Sequence, residues 1–148
     1  MSNKIYPIGI QNFEKIRKGG YCYIDKTAWI YQMVKTGSYY FLSRPRRFGK
    51  SLLLSTLEAY FQGKKKLFEG LAIEKLEKDW FKYPILHIDL NTEKYDTPER
   101  LENKLNRTLV EWEKIYGAES AETSLAMRFE GIIQRACEKE GQSVVILV

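Results

Sequence analysis

The chain has 148 residues, enough for one globular domain, and its 44% hydrophobic and 29% charged residues exclude a disordered or low-complexity protein. The formal net charge is +5, which favours anionic partners such as phosphates. Cys22 and Cys137 match no metal or redox spacing, and the single His87 excludes a histidine-based metal site.

No stretch approaches the roughly 20 apolar residues of a membrane span. The first residues also lack the apolar core of a signal peptide. We therefore expect a cytoplasmic protein without a membrane partner.

The first third of the chain alternates helix and strand signals. Asn12 is a candidate N-cap that opens a helix, and Asp25 is predicted to cap the next one. The predicted elements are a helix at 12–18, a short strand at 21–24, a helix at 26–35 and an aromatic strand at 39–42. We assign residues 1–37 to an N-terminal extension and residues 38–148 to a core.

The rest of the chain continues this alternation, and Asp96 with Glu99 has the spacing of a capping box. The predicted elements are a helix at 50–61, short helical pieces in 64–82, a strand at 85–90, a helix from Asp96 to about Tyr116, a helix through 125–136 that Gly141 ends, and a strand at 143–148. Helical crossovers between strands require parallel pairing. The sequence thus predicts a three-layer α/β fold of P-loop NTPase type, with helices on both faces of a parallel sheet.

A phosphate-loop motif carries most of the chemical information. The P-loop pattern is G-x-x-x-x-G-K-[ST]: its backbone N–H groups surround the phosphates, its lysine reaches the terminal phosphates, and its hydroxyl binds Mg²⁺. Residues 44–51 read RPRRFGKS, so Gly49, Lys50 and Ser51 match and Arg44 replaces the first glycine. The motif lies between a predicted strand and a predicted helix, as it must to work. Clustered cations beside the positive end of a helix dipole also favour a bound anion.

This motif predicts a nucleoside triphosphate site with ATP and Mg²⁺ as ligands. The predicted nucleotide-binding residues are Arg46, Arg47, Phe48, Gly49, Lys50, Ser51 and Leu52, and the Ser51 hydroxyl is the predicted Mg²⁺ ligand. Arginine at position 44 lacks the conformational freedom of glycine, so the loop is either wider than usual or turns this side chain away. Arg46 and Arg47 could compensate by binding phosphate directly.

The sequence resembles the bacterial AAA-ATPase-like domain family from about residue 6 to residue 148. The resemblance rests on YIDKT at 23–27, on YFLSRPRRFGKS at 40–51 with its missing first glycine, and on YPILHIDL at 83–90. It implies a P-loop ATPase domain. It also implies that a restriction-endonuclease-like domain often follows, through which a nucleic acid could be bound.

Hydrolysis of ATP needs an acidic pair that holds Mg²⁺ and prepares the attacking water. In proteins that resemble this one, the pair directly follows an apolar strand of the kind found at 144–148. We therefore expect an N-terminal fragment of a longer protein, with an α/β fold that is incomplete at its C-terminus and no ATPase activity of its own. In the expected strand order, 39–42 and 143–148 are not neighbours, and their unpaired edges predict self-association.

Other polar residues have simpler interpretations. Asp89 more readily caps the loop after its strand, Asp25 caps a helix, and His87 is a packed histidine. Two other functions stay open. One is a nucleic-acid-binding module that uses RPRR and the lysines at 64–66, and the other is an interaction domain with a degenerate P-loop.

Overall fold

The structure, a computed structural model, describes residues 5–92 and 94–148. It divides into two compact units, Met1–Lys82 and Tyr83–Val148. The first unit contains α1 (Phe13–Lys18), α2 (Thr27–Thr36), α3 (Lys50–Phe61), a 3-10 turn (Lys65–Phe68) and α4 (Ala72–Leu76). The second contains β1 (Ile85–His87), α5 (Pro98–Tyr116), α6 (Leu125–Glu140) and β2 (Val145–Leu147). The predicted division into an N-terminal extension at 1–37 and a core at 38–148 is a different one from these two units, and it stays a prediction.

The core of the first unit is largely aromatic. Phe13 of α1 and Phe68 of the 3-10 turn are fully buried, with ring centroids 4.8 Å apart. Tyr60 of α3 and Trp80 extend this cluster at 5.7 Å. Such ring pairs stabilise a fold by more than their buried apolar area alone would provide. The cluster therefore fixes α3, the helix that follows the phosphate loop, against the N-terminal part of the chain.

The helices of the first unit follow the local signals in the sequence. The Asn12 side chain caps α1 by accepting the Lys15 N–H at 3.0 Å, as predicted. Helix α3 begins at Lys50 and ends at Phe61, as its apolar spacing indicates. The N-cap of α2 is Lys26 and not Asp25, although the Asp25 carboxylate accepts the Thr27 N–H at 2.9 Å.

The predicted strands at 21–24 and 39–42 are wrong, since neither segment is a strand in the structure. Tyr39 and Phe41 are almost fully exposed, while Tyr40 and Leu42 are less so, which keeps the two-residue alternation of extended chain. A strand needs a neighbour to complete its hydrogen-bond ladder, and the regular elements described in the first unit are helical. Aromatic β-propensity measures packing on a sheet, so without such a partner it does not make a strand.

The second unit confirms the parallel pairing but shows a much smaller sheet than predicted. Strands β1 and β2 pair in parallel with Leu86 opposite Ile146. Leu86 is fully buried and packs with Leu109 of α5 and Ile132 of α6. The described residues thus form a mixed α/β structure with one two-stranded parallel sheet, and a full three-layer sheet stays a prediction.

The helix boundaries of the second unit are close to those predicted. Helix α6 ends at Gly141, whose φ of 64° is the left-handed conformation that favours glycine. Helix α5 begins after Thr97, so the capping role predicted for Asp96 is wrong; its carboxylate pairs with Arg100 at 3.1 Å instead. Among the described residues, none of the helices has both the length and the apolar character that a bilayer crossing requires.

Candidate functional site

The backbone of the phosphate loop turns sharply just before α3. Gly49 is the N-cap of this helix and has a φ of 80°. Arg47 has a φ of 66°, and it is the one non-glycine residue with positive φ in the described part of the chain. Such strain costs about 1–3 kcal/mol and clusters at ligand sites. Left-handed residues that alternate with ordinary ones also turn peptide N–H groups toward one side, as in anion-binding nests.

The missing first glycine does not strain the loop. Arg44 has no positive φ, so arginine fits there without the freedom of glycine. Its carbonyl oxygen accepts a hydrogen bond from Lys50 Nζ at 2.7 Å. The left-handed positions lie instead at Arg47 and Gly49. The side chain of Lys50, the first residue of α3, therefore connects the end of the loop back to its first residue, Arg44.

A cavity of about 560 Å³ opens at the start of α3. Small-molecule and cofactor sites are typically roughly 300–1,000 Å³ in volume. Residues from the phosphate loop and from the N-terminal segment line it: Pro7, Gly9, Ile10, Gln11, Arg47, Gly49, Lys50, Ser51 and Leu52. Arg46 and Phe48 were also predicted as nucleotide-binding residues but are not part of this lining. The roles of all seven as ligands stay predictions.

The N-terminal wall of this cavity was not predicted from the sequence. No motif in residues 7–11 indicates a ligand contact. Ser55 of α3 brings the segment to the loop, since its hydroxyl oxygen accepts the Phe13 N–H at 2.9 Å. The same hydroxyl can donate to the Leu52 carbonyl at 2.9 Å or to the Gln11 carbonyl at 3.4 Å. The bonding partners of Ser55 are 42 and 44 residues away in the sequence, so no local pattern predicts these contacts.

The two basic clusters, at the phosphate loop and at residues 64–66, differ in their contacts. Arg44, Arg46 and Arg47 are exposed, so their guanidinium groups are accessible to an anion. Lys64, from the lysine cluster at 64–66, instead forms an ion pair with Glu14 at 2.7 Å. A second ion pair joins Glu14 to Lys18 at 2.6 Å, and the hydrogen bonds from Lys18 and then Lys64 lower the pKa of Glu14 to about 2. This reduces the lysine charge that a nucleic acid could use.

Asp25 acts as a hydrogen-bond acceptor between two helices. Its carboxylate accepts the Thr27 hydroxyl at 2.6 Å and the Ala72 N–H at 2.7 Å, in addition to the Thr27 N–H. Partial desolvation of the carboxylate raises the pKa of Asp25, but the bonds from Thr27 and Ala72 outweigh this effect and the net shift is downward. The Thr27 hydroxyl in turn accepts the Ile73 N–H at 3.1 Å. The DKT segment therefore joins the starts of α2 and α4.

Glu77 is a buried acid that the sequence did not reveal. Its carboxylate accepts a short hydrogen bond from the Tyr60 hydroxyl and pairs with Lys35 at 3.1 Å. It also accepts the Asp79 N–H at 3.1 Å. Burial raises the pKa of Glu77, but the bonds from Tyr60, Lys35 and Asp79 outweigh it and lower the pKa. Since its lone pairs are used by the fold, this carboxylate is structural.

Asp89 and His87 lie in the second unit. Asp89 Oδ1 accepts the Asn91 N–H at 2.9 Å, which agrees with the loop-capping interpretation. His87 belongs to β1 and lies opposite Leu147 in the sheet register. Within the described residues, no three His, Cys, Asp or Glu side chains come together in an arrangement that could hold a metal ion.

Comparison with known proteins gives a family match over almost the whole chain. The model of a family described as "Predicted AAA-ATPase" matches residues 7–148. An "Uncharacterized protein in vnfD 5'region" of Azotobacter chroococcum mcd 1 is 41% identical over 150 residues. That alignment covers all of this chain but 29% of the relative, so the chain spans less than a third of the relative's length. No solved structure gives a significant match.

Proposed function

This chain belongs to the predicted AAA-ATPase family, and we propose that it binds ATP with Mg²⁺ at the start of α3. The observation that carries this proposal is the cavity at the phosphate loop, where Gly49, Lys50 and Ser51 of the motif lie together. The family description supports an ATPase-like role in general. The assignment of ATP to this cavity rests on the motif and on the geometry of the loop.

Each matched residue has a role that its chemistry supports. The Lys50 ammonium now binds the Arg44 carbonyl, and a triphosphate would offer it a charged acceptor instead. The bond to the Arg44 carbonyl already has a charged donor, but a phosphate oxygen would add an opposite charge at hydrogen-bond distance, so the exchange favours the ligand. Ser51 is exposed at the first turn of α3, where its hydroxyl can act as a Mg²⁺ ligand.

The backbone also supports a phosphate site at this position. The N–H groups of the first turn of α3 have no partner within the helix, and the helix dipole places partial positive charge there. The left-handed Gly49 lets the chain enter the helix without a Cβ on the side of the phosphates. Arg47 lines the same cavity and adds a planar donor for phosphate oxygens.

Hydrolysis is a proposal for the whole protein and not for these residues alone. The family description names an ATPase, and the relative is more than three times as long as this chain. We infer that acidic residues outside the described cavity supply the metal-holding and water-positioning groups. The 148 residues by themselves should therefore bind ATP without steady turnover.

The Lys50→Ala substitution tests the proposed site. ATP with Mg²⁺ at about 100 times its dissociation constant should stabilise the unsubstituted chain by roughly 2.7 kcal/mol. In a chain of this size that corresponds to roughly 5–10 °C in melting temperature. Lys50 is exposed at a loop-to-helix junction, so alanine should preserve the fold while removing most of this ATP-dependent shift.

Lys78→Ala is the matched control, because Lys78 is also exposed in the first unit but does not line the cavity. It should keep the full ATP-dependent shift. An equal shift in Lys50→Ala and Lys78→Ala would contradict the assignment, and so would the absence of any shift in the unsubstituted chain.

A further inference from the structure

We propose that the segment at residues 7–11 holds the nucleoside part of the ligand, and that Ser55 is the positioning residue that keeps this segment in place. This inference rests on the proposed function, since it divides the same cavity into a phosphate side and a nucleoside side. It adds that the site selects a nucleotide over a bare polyphosphate.

The composition of the cavity lining supports the division. The phosphate-loop side carries the cations Arg47 and Lys50 and the Ser51 hydroxyl. The N-terminal segment contributes Pro7, Gly9, Ile10 and Gln11, and none of these described lining residues has an ionisable side chain. Ligand pockets are mostly apolar with a few polar groups that fix orientation. The N-terminal side thus suits an uncharged ring system, and the loop side suits the phosphates.

The backbone of this segment leaves room for a ring. Gly9 has a φ of 74°, and a Cβ built on it would meet nothing within 4 Å. The Ile10 N–H donates to the Pro7 carbonyl at 3.3 Å, which closes a tight turn around Gly9. A glycine-centred turn presents peptide groups and little side-chain bulk to the cavity. Peptide N–H and C=O groups can bind the edge of a base while Ile10 covers its face.

Ser55 connects this turn to the phosphate loop. It lies one helical turn after Ser51, so both side chains lie on the same face of α3. Its hydroxyl bonds the Phe13 N–H and can bond the Gln11 carbonyl, which ties the end of the segment to that face. Removing the hydroxyl should let residues 7–11 move while leaving the phosphate loop, which Lys50 closes onto Arg44, unchanged.

The experiment compares two probes, ATP and inorganic tripolyphosphate, each with Mg²⁺, by calorimetric titration of the 148-residue chain. Ser55→Ala should weaken ATP binding by roughly tenfold, the size expected from loss of one or two ordinary hydrogen bonds. The same variant should change tripolyphosphate binding by less than about twofold, because it leaves the charged contacts in place. Ser55→Thr, which keeps the hydroxyl, should restore ATP affinity.

A second variant keeps the test decisive if Ser55→Ala folds poorly. Ile10→Ala removes apolar surface from the nucleoside side without touching the Ser55 bonds. It should likewise weaken ATP and spare tripolyphosphate. Thr108→Ala is the matched control: it removes a helical hydroxyl that bonds a carbonyl one turn earlier, and Thr108 does not line the cavity.

The outcomes separate this inference from the proposed function. Equal losses for ATP and tripolyphosphate in Ser55→Ala and Ile10→Ala, or no loss for either probe, would overturn the nucleoside assignment. The phosphate site would still stand in that case if Lys50→Ala weakens both probes. If the unsubstituted chain binds neither probe, the proposed function fails first.

Discussion

Replacing Asp25 with alanine distinguishes a structural acid from one that acts on the nucleotide. The carboxylate accepts three hydrogen bonds, two from Thr27 and one from the Ala72 N–H, at 2.6–2.9 Å. Together they join the first turn of α2 to the first turn of α4. None of these atoms lines the cavity at the phosphate loop. We therefore expect Asp25→Ala to lower the free energy of unfolding while leaving ATP affinity unchanged.

The size of the effect follows from the bonds. A hydrogen bond to a charged group contributes roughly 1.5–3 kcal/mol, but three bonds to one carboxylate do not add. Asp25 is exposed, so water screens the carboxylate and replaces part of what alanine removes. These corrections leave a loss of about 1–3 kcal/mol, which corresponds to roughly 3–10 °C in melting temperature.

The pH dependence gives an independent check. The folded-state pKa of Asp25 is below its ordinary value, so its charged form stabilises the fold. That contribution is fully present above the unfolded pKa of about 4 and is lost as pH falls through the lowered folded pKa. The difference in melting temperature between the unsubstituted chain and Asp25→Ala should thus be largest near neutral pH and shrink in acid.

Melting curves at several pH values, with ATP titrations at neutral pH, test this reasoning. Asp79→Ala is the control, because Asp79 is exposed and its carboxylate makes no hydrogen bond or ion pair with another described residue. A normal melting temperature together with lost ATP binding in Asp25→Ala would refute the structural role. A destabilisation that is the same at every pH would refute the role of the charge.

Two further predictions concern the second unit and the lysine cluster. A Cβ at Gly131 would lie 1.7 Å from Glu122 Oε1, so Gly131→Ala must displace Glu122 from its 2.6 Å ion pair with Arg135. Alanine is more stable than glycine inside a helix by roughly 0.5–1 kcal/mol, so Gly131→Ala should raise the melting temperature of a Glu122→Ala chain but not that of the unsubstituted chain, where the ion pair is lost. An equal rise in both chains would contradict this geometry. Because Lys64 is paired with Glu14, Lys64→Ala should leave both ATP binding and oligonucleotide binding unchanged in titrations. A large, strongly salt-dependent loss of oligonucleotide affinity would instead favour the nucleic-acid-binding module.

Local signals were sufficient to predict the helices. Asn12 caps α1 and Gly141 ends α6 because their effects act within one turn of the chain. The apolar spacing over 50–61 predicted α3 for the same reason. Asp25 shows what local signals cannot predict. Its helix-start position was predicted, but its bond to Ala72, 47 residues away, was not, because no local pattern records it.

The strands depended on partners that the sequence does not specify. The segment at 143–148 gave β2 because Ile85, Leu86 and His87 complete its ladder. The aromatic run at 39–42 has at least as much β-propensity, yet it is not a strand. Tyr40 uses its hydroxyl to bind the Met33 carbonyl at 2.6 Å, which holds the run against the end of α2. The β-propensity of residues 39–42 predicted an extended chain, but a strand also requires a pairing partner.

The backbone of the phosphate loop differs from what its motif suggested. Glycine in the first position of the pattern suggested that this position needs conformational freedom, and Arg44 therefore looked costly. The structure places the left-handed residues at Arg47 and Gly49 instead. The strain at Arg47 is the larger surprise, since a long charged residue rarely adopts that conformation. A residue held in this way needs compensation, and a phosphate bound by the Arg47 guanidinium and the neighbouring N–H groups would provide it. Arg44 therefore adds no backbone strain to the loop. The strained residue is Arg47, which lines the cavity.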